Sequence, residues 1–323
     1  MTQHRPNHTS ASLAGSVLVS TVLGVLAIVF WGSTIAVSRS LTERLGLFTA
    51  ATAIYTLTGV LAAVYLAAKP KARRGLSRLP LRYWLVCGGF AVAYAVFLYV
   101  AIGLAADRAQ VVEVGIVNYL WPSLTLTLSV PILGKRAGPW LYVGMAAACV
   151  GIVLAMTSGG AFSWAGFRDH VLHNPVPFLV ALFAAISWAS YSNLSRRWAA
   201  HTDCEAMPIF LMLTAAAFAV IRCFLVEESE WNLRVVLEVA YCATFPGLLA
   251  YLFWDIAMRK GNLTLVAALA YFTPLLSTTI TCLYLHVLPG LRLWLACALV
   301  VIGATLCQKG IGERKSKPNQ EEQ

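Results

Sequence analysis

Charged residues are scarce in this chain of 323 residues. Asp, Glu, Lys and Arg make up only 12% of it, whereas a soluble globular domain carries about 25%. Hydrophobic residues account for 59%, and the mean hydropathy is +0.73. This composition excludes a soluble globular domain and indicates a membrane protein.

The signatures of several other function classes are also missing. There is no GxxxxGK[ST] motif of a P-loop pump, and the eight cysteines include no CxxC pair, so we expect no metal and no cofactor. No segment outside the apolar windows exceeds about twenty residues, which is too short for a separate catalytic domain. We therefore expect no catalytic residues, and any function has to lie between the membrane helices.

Apolar windows long enough to cross a bilayer occur ten times. A crossing needs about 20 apolar residues at a helical rise of 1.5 Å, and the windows lack the alternation of barrel strands. The sequence therefore predicts an all-α polytopic membrane protein with ten transmembrane helices. The predicted spans are residues 17–38, 47–68, 83–105, 111–133, 138–157, 176–195, 207–226, 235–256, 263–285 and 291–308.

The distribution of basic residues predicts the orientation. With ten spans both termini lie on one side, and that side carries 17 of the 24 Lys and Arg residues, six of them within residues 69–82. Cytoplasmic loops are enriched in basic residues, so both termini are predicted to be cytoplasmic. The basic loop lies between two spans and faces anionic lipid, so we expect no nucleic-acid partner.

The chain contains an internal repeat. At an offset of 152 residues, Tyr119 falls on Tyr271, Pro122 on Pro274 and Gly151 on Gly303. Since each half has five spans, the halves cross the membrane in opposite senses, an arrangement typical of secondary transporters. The predicted organisation is a cytoplasmic N-terminal tail at 1–16, a first five-helix repeat at 17–157, an extracytoplasmic linker at 158–175, a second, inverted five-helix repeat at 176–308 and a cytoplasmic tail at 309–323.

Two prolines inside spans predict helix kinks. Pro122 and Pro274 cannot donate a backbone hydrogen bond, which frees the carbonyl groups of Asn118 and Ala270. Freed backbone groups at membrane depth are tolerated where they are buried in protein or face a wet cavity. We therefore expect the fourth and ninth spans to border the interior, although a kink that only aids packing is an alternative.

No charged side chain lies in the middle third of any predicted span. A strongly anionic substrate would need a central Lys or Arg, so amides, hydroxyls and aromatic rings favour a neutral or zwitterionic small molecule with an apolar part. Glu113 and Asp255 lie nearer to the span ends. Both are candidates for coupling or gating, with solvated carboxylates at headgroup depth as the alternative.

The segment QVVEVGIVNYLWPSLTLTLSVPILGKR at residues 110–136 resembles the corresponding segment of bacterial aromatic amino-acid exporters. Together with the two five-helix halves, it makes the chain similar to the drug/metabolite transporter superfamily with tandem EamA-like repeats. The resemblance implies a multi-pass exporter in the bacterial inner (plasma) membrane. It also implies a central cavity between the halves and Phe, Tyr, Trp and other neutral amino acids as substrates.

Under this hypothesis the protein is a monomer that works by alternating access, with aromatic side chains walling the cavity and Asn118 orienting the polar end of the substrate. Exporters of drugs or other small metabolites share the fold and remain an alternative, and a membrane enzyme, a receptor and a scaffold are weaker ones. The predicted substrate-binding residues are Trp31, Tyr94, Tyr99, Asn118, Trp121, Trp188, Tyr191, Tyr251, Trp254 and Tyr271.

Overall fold

The computed structural model describes residues 8–157, 163–284 and 290–312. Several sequence expectations fall outside these residues: the start of the N-terminal tail (1–7), part of the linker (158–162), the end of the ninth predicted span (285) and most of the C-terminal tail (313–323).

Helices account for most of the described chain. The α-helices are α1 (His8–Gly32), α2 (Thr34–Leu45), α3 (Leu47–Ala68), α4 (Pro70–Arg73), α5 (Gly88–Gly103), α6 (Arg108–Asn118), α7 (Trp121–Leu133), α8 (Pro139–Met156), α9 (Trp164–His173), α10 (Val176–Ala199), α11 (Met207–Cys223), α12 (Leu233–Cys242), α13 (Ala250–Lys260), α14 (Leu263–Leu269), α15 (Thr273–Tyr284) and α16 (Leu291–Gly310). Two π-helical segments, Tyr83–Cys87 and Ala243–Leu249, precede α5 and α13, and 3₁₀ turns occur at Leu76–Arg78 and Ala270–Phe272. Strands β1 (Arg136–Ala137) and β2 (Ile311–Gly312) pair antiparallel.

Eight described helical segments are long and apolar enough to cross a membrane. They correspond to eight of the ten predicted spans, and they confirm a mostly helical, multi-pass chain. The spans predicted at residues 207–226 and 263–285 correspond instead to shorter apolar helices, Met207–Cys223 and Leu263–Ser277. A crossing needs about 20 residues. Met207–Cys223 is shorter than that, whereas α14, the 3₁₀ turn and α15 together run from Leu263 to Tyr284. The count of ten remains a prediction.

The first predicted span, residues 17–38, is wrong as a single helix. α1 ends at Gly32 and α2 begins at Thr34. The hydroxyl of Ser33 donates to the carbonyl of Phe30 (2.7 Å) and that of Thr34 to the carbonyl of Trp31. Such local side-chain bonds compete with the helical backbone pattern, so the WGST sequence places a break here.

Four helix pairs build the bundle. α3 packs against α11, α8 against α16, α5 against α10 and α1 against α13. In the α8–α16 contact glycines let the backbones touch, since a Cβ on Gly144 would lie 2.6 Å from the carbonyl oxygen of Gly303. Small residues at such contacts are the usual basis of close helix packing in membranes.

Burial separates central helices from peripheral ones. In the segments Val176–Ala199 and Leu233–Lys260, 61% and 56% of the most apolar window is buried, whereas the corresponding value for Tyr83–Gly103 is 28%. Large apolar side chains such as Val60, Phe97 and Trp140 are exposed on the outer surface. α10 and the α12–α13 segment therefore lie at the centre, and the other spans present apolar side chains to lipid.

Candidate functional site

The central α12–α13 segment borders a cavity of about 220 Å³. It lies between α1 and α2, α3, α5, the junction of α6 with α7 and the π-helical segment before α13. No described residue in its lining is Asp, Glu, Lys, Arg or His. The lining residues are Trp31, Thr34, Ser38, Ile54, Tyr55, Tyr94, Leu98, Tyr99, Asn118, Tyr119, Trp121, Cys242, Pro246, Gly247, Tyr251 and Thr273.

The two prolines predicted to kink helices stand at helix breaks. α6 ends at Asn118 and α7 begins at Trp121, with Pro122 in its first turn. α15 likewise begins at Thr273, with Pro274 following, after the 3₁₀ turn. Proline is well tolerated in a first turn because its missing N–H would have no intrahelical partner there. Each break brings residues of its own to the cavity, with Asn118 and Trp121 at the first and Thr273 at the second.

A π-helical segment forms another part of the cavity wall. It spans Ala243–Leu249 and contains Pro246, whose carbonyl oxygen accepts the indole N–H of Trp31 at 3.2 Å. The next residue has to be small, because a Cβ on Gly247 would lie 2.5 Å from Oγ1 of Thr58 on α3. π-helical segments are frequent at functional sites because they alter which backbone groups and side chains face inward. The sequence prediction missed this segment.

The polar groups of the cavity are hydroxyls and one amide, and the amide oxygen lacks a partner. Asn118 is 8% exposed, and its Oδ1 is buried and accepts no hydrogen bond from any described residue. An unpaired buried amide oxygen costs about 1–3 kcal/mol. The hydroxyls of Tyr55 and Tyr251 bond to each other across the cavity at 3.1 Å. Asn118 therefore carries a buried amide oxygen without a partner in the wall of the cavity.

A layer of stacked aromatic rings lies behind one wall of the cavity. The ring centroid of Trp31 lies 5.8 Å from that of Trp188 and 5.4 Å from that of Trp254. Trp188 also stacks on Tyr191 at 5.3 Å, and the indole N–H of Trp254 donates to Oγ of Ser192 at 3.1 Å. Offset and edge-on contacts at these distances are favourable, so the layer closes that side of the cavity.

Of the ten predicted substrate-binding residues, six line the cavity and four do not. The six are Trp31, Tyr94, Tyr99, Asn118, Trp121 and Tyr251. Trp188, Tyr191 and Trp254 belong to the aromatic layer and are almost fully buried. Tyr271 lies in a separate apolar cluster around α8 and α16, where its hydroxyl bonds to Oγ of Ser123 at 2.6 Å.

Asp255 is held in an internal network. It is 1% exposed, its Oδ2 lies 2.7 Å from Nη2 of Arg259, and its Oδ1 accepts the hydroxyl of Tyr191 at 2.6 Å. Arg259 also donates to the carbonyl oxygen of Cys204 at 3.0 Å. This carboxylate is therefore not solvated at headgroup depth, and removing either partner of such a buried pair costs about 3–5 kcal/mol.

Glu113 is equally buried, at 1% exposure. Its Oε2 lies 2.9 Å from Nδ1 of His170, which belongs to α9 in the linker. The nearby side chain of Asp107 caps α6 by accepting the backbone N–H of Gln110 at 2.8 Å. A solvated headgroup position does not describe Glu113 either, since it faces a specific partner from another element.

Sequence reasoning missed several of these partners. Arg259 stands four residues after Asp255, a spacing that brings side chains together on a helix, and this signal was available. Tyr55 and His170 have no local signal, because their positions at the site depend on how α3 and α9 pack. Thr34 and Ser38 were counted as part of a lipid-spanning helix, whereas the break at Ser33 turns them to the cavity.

The fold and the cavity together define a class of protein. Most of the described chain is helical, eight segments can cross a membrane, and a charge-free cavity lies between them. This combination is that of a multi-pass membrane transporter for a small molecule. The model of the EamA-like transporter family matches residues 18–157 and 176–307, so the chain belongs to that family and carries two of its repeats.

Curated relatives match along most of the chain. It is 30% identical over 291 residues to the aromatic amino acid exporter YddG of Salmonella typhimurium. The aligned residues cover 89% of this chain and 96% of that relative. The protein of the same name from Ancylobacter novellus is 32% identical to this chain, and the alignment again covers 89% of this chain and 96% of the relative. A solved crystal structure superposes with a TM-score of 0.75 at 28% identity and covers 90% of this chain and 97% of the other.

Proposed function

We propose that this protein exports aromatic and other neutral amino acids across the bacterial inner membrane by alternating access. The observation that carries the proposal is the charge-free aromatic cavity that contains a buried amide with an unpaired oxygen. The names of the relatives above support the substrate class. Membership of a transporter family supports transport rather than enzymatic catalysis.

An amino-acid zwitterion suits the groups of the lining. Oδ1 of Asn118 accepts the α-ammonium group, since hydrogen bonds to charged groups are the stronger ones. The substrate carboxylate takes the first turn of α7 at Trp121, where the helix dipole favours negative charge. Rings such as those of Trp31 and Tyr94 contact the apolar side chain. A substrate with a net charge would leave that charge without an opposite one in the cavity.

The pairing of helices supports two repeats of opposite orientation. α3 with α11 and α8 with α16 each join equivalent helices of the two repeats. When the two repeats are matched in the same way, the α5–α10 pair corresponds to the α1–α13 pair. Such pairing is expected of halves related by an axis in the membrane plane, and rocking of the halves about a central site gives alternating access.

The position of the cavity supports its sidedness. Ile54 and Tyr55 near the start of α3 and Tyr99 near the end of α5 line it, and these helix ends lie in the predicted extracytoplasmic half. The ion pair of Asp255 with Arg259 lies in the predicted cytoplasmic half. We therefore assign the cavity to an outward-facing conformation, with the aromatic layer on its cytoplasmic side.

The test is release of labelled phenylalanine from proteoliposomes that contain the purified protein. Threonine and a lipophilic cation are measured in parallel, with and without an imposed pH gradient, and protein-free liposomes give the background. We expect protein-dependent release of phenylalanine and none of the cation. Release of the cation without either amino acid would instead support a drug exporter of the same fold.

A further inference from the structure

A histidine of the linker helix α9 contacts two carboxylates of α6 and its cap. In His170, Nδ1 lies 2.9 Å from Oε2 of Glu113, and Nε2 lies 3.5 Å from Oδ2 of Asp107. A neutral imidazole carries one N–H and can donate to one carboxylate, whereas imidazolium donates to both. The geometry therefore matches the protonated form of His170.

The Glu113 carboxylate depends on this contact. Its Oε2 is bonded to His170, while its Oε1 is buried and accepts no hydrogen bond from any described residue. A buried carboxylate without a positive partner is costly, so loss of the imidazolium charge weakens the attachment of α9 to α6.

A second set of bonds ties the start of α6 to the end of the linker. Gln110 is fully buried, and its Nε2 donates to the carbonyl oxygen of Asn174 at 2.9 Å. The side chain of Asn174 donates to Oε1 of Gln110 at 3.0 Å and to the carbonyl oxygen of Leu104 at 3.2 Å. These amide bonds do not titrate. His170 is thus the pH-sensitive part of an attachment that fixes the helix ending at the cavity residue Asn118.

Other charged groups around His170 are few. On α6 and its cap they are Asp107, Arg108 and Glu113. On α9, Arg168 is the remaining cation, and Asp169 pairs with His173 at 3.0 Å on the exposed face. α8 carries no charged residue, and neither does the part of α10 before Arg196.

We propose that protonated His170 is a positioning residue that fixes α6, and with it Asn118, for substrate binding, so that the affinity of the transporter depends on pH. This inference rests on the proposed amino-acid transport. The bond to Glu113 raises the pKa of His170 above its ordinary value, which is about 6.5. Because the folded pKa is raised, the attachment is complete below the ordinary value and is lost as the pH rises through the raised one.

The first test is the KM for phenylalanine in proteoliposomes with equal pH on both sides, so that the orientation of insertion does not matter. The midpoint is the pH at which half of the His170 side chains are protonated. In the unmodified protein the KM should rise about tenfold from one pH unit below this midpoint to one pH unit above it. His170→Gln should show a high KM at every pH, and His170→Arg, which keeps the charge, a low one. His173→Gln is the matched control and should follow the unmodified protein.

The second test does not need transport. Hydrogen exchange of residues 104–118 is compared between the unmodified protein and His170→Gln at each pH, which cancels the intrinsic pH effect. The attachment is supported if the unmodified protein is better protected than His170→Gln below the midpoint and equally protected above it. This holds even if phenylalanine proves not to be a substrate. Equal protection in both proteins at every pH overturns the proposal, as does a pH-independent KM despite normal phenylalanine transport.

Discussion

The two proline-marked helix breaks occupy equivalent positions in the two repeats but have different surroundings. At the first break Tyr119 lines the cavity, whereas its equivalent Tyr271 is buried between helices and bonds to Ser123. Asn118 presents an amide with an unpaired oxygen, whereas its equivalent is Ala270. The carbonyl of Ala270 accepts both the N–H and the hydroxyl of Thr273.

This difference separates recognition from support. A shared break opens each repeat toward the centre, but the first break carries the polar group that a substrate can use. At the second break the hydroxyl of Thr273, which also lines the cavity, already donates to the Ala270 carbonyl. Substitutions at equivalent positions should therefore affect transport in the first repeat and stability in the second.

The largest effect is expected for Asn118→Leu, which removes the acceptor but keeps the approximate volume. A hydrogen bond to a charged group contributes about 1.5–3 kcal/mol, so kcat/KM for phenylalanine should fall at least about tenfold. Ser187→Ala is the matched control, since that buried hydroxyl bonds within α10 and does not line the cavity. Equal losses in both variants would show that Asn118 acts only through the fold.

A smaller effect on stability is expected for Tyr271→Phe. The change removes the hydrogen bond to Ser123, and the free energy of unfolding in detergent should fall by about 1 kcal/mol while transport persists. Tyr119→Phe is the control at the equivalent position, where we expect a change within about 0.5 kcal/mol. The comparison fails if Tyr119→Phe proves the more destabilising of the two.

The smallest effect is expected for Thr273→Val. The backbone N–H of Thr273 already bonds to the Ala270 carbonyl, so losing the hydroxyl should cost no more than about 0.5–1 kcal/mol of unfolding free energy. Thr127→Val is the control, because that hydroxyl bonds back to Ser123 within α7 and to Sδ of Met145 on α8, away from any break. A loss above about 2 kcal/mol would mean that the second break depends on its side chain more than we propose.

Features of this molecule that follow from its composition, the length of its apolar windows and its internal repeat could be predicted from the sequence. Scarce charge and long apolar windows predicted a helical membrane protein, and the motif around Asn118 predicted the family. Repeated prolines located both breaks, because proline has the same effect on a helix wherever it stands. The break at Ser33 was missed, since serine and threonine are compatible with a continuous helix.

The site was less predictable because burial depends on packing. Trp31 in WGST and Trp188 in WASY occupy matching positions in the two halves, 157 residues apart, yet Trp31 lines the cavity and Trp188 stacks behind it. Nothing in either local sequence distinguishes these outcomes. The partner of Glu113 comes from a linker helix 57 residues away, and no local pattern predicts such a contact.

The most direct test of the account compares phenylalanine with 3-phenylpropanoate, which lacks the amino group, in the unmodified protein and in Asn118→Leu. If Asn118 receives the ammonium group, the unmodified protein should prefer phenylalanine at least about tenfold, measured as competition for labelled phenylalanine transport. That preference should be at least about tenfold smaller in the variant, where only the net negative charge of 3-phenylpropanoate still disfavours it. An unchanged preference in Asn118→Leu would contradict the assignment of the ammonium group to this amide.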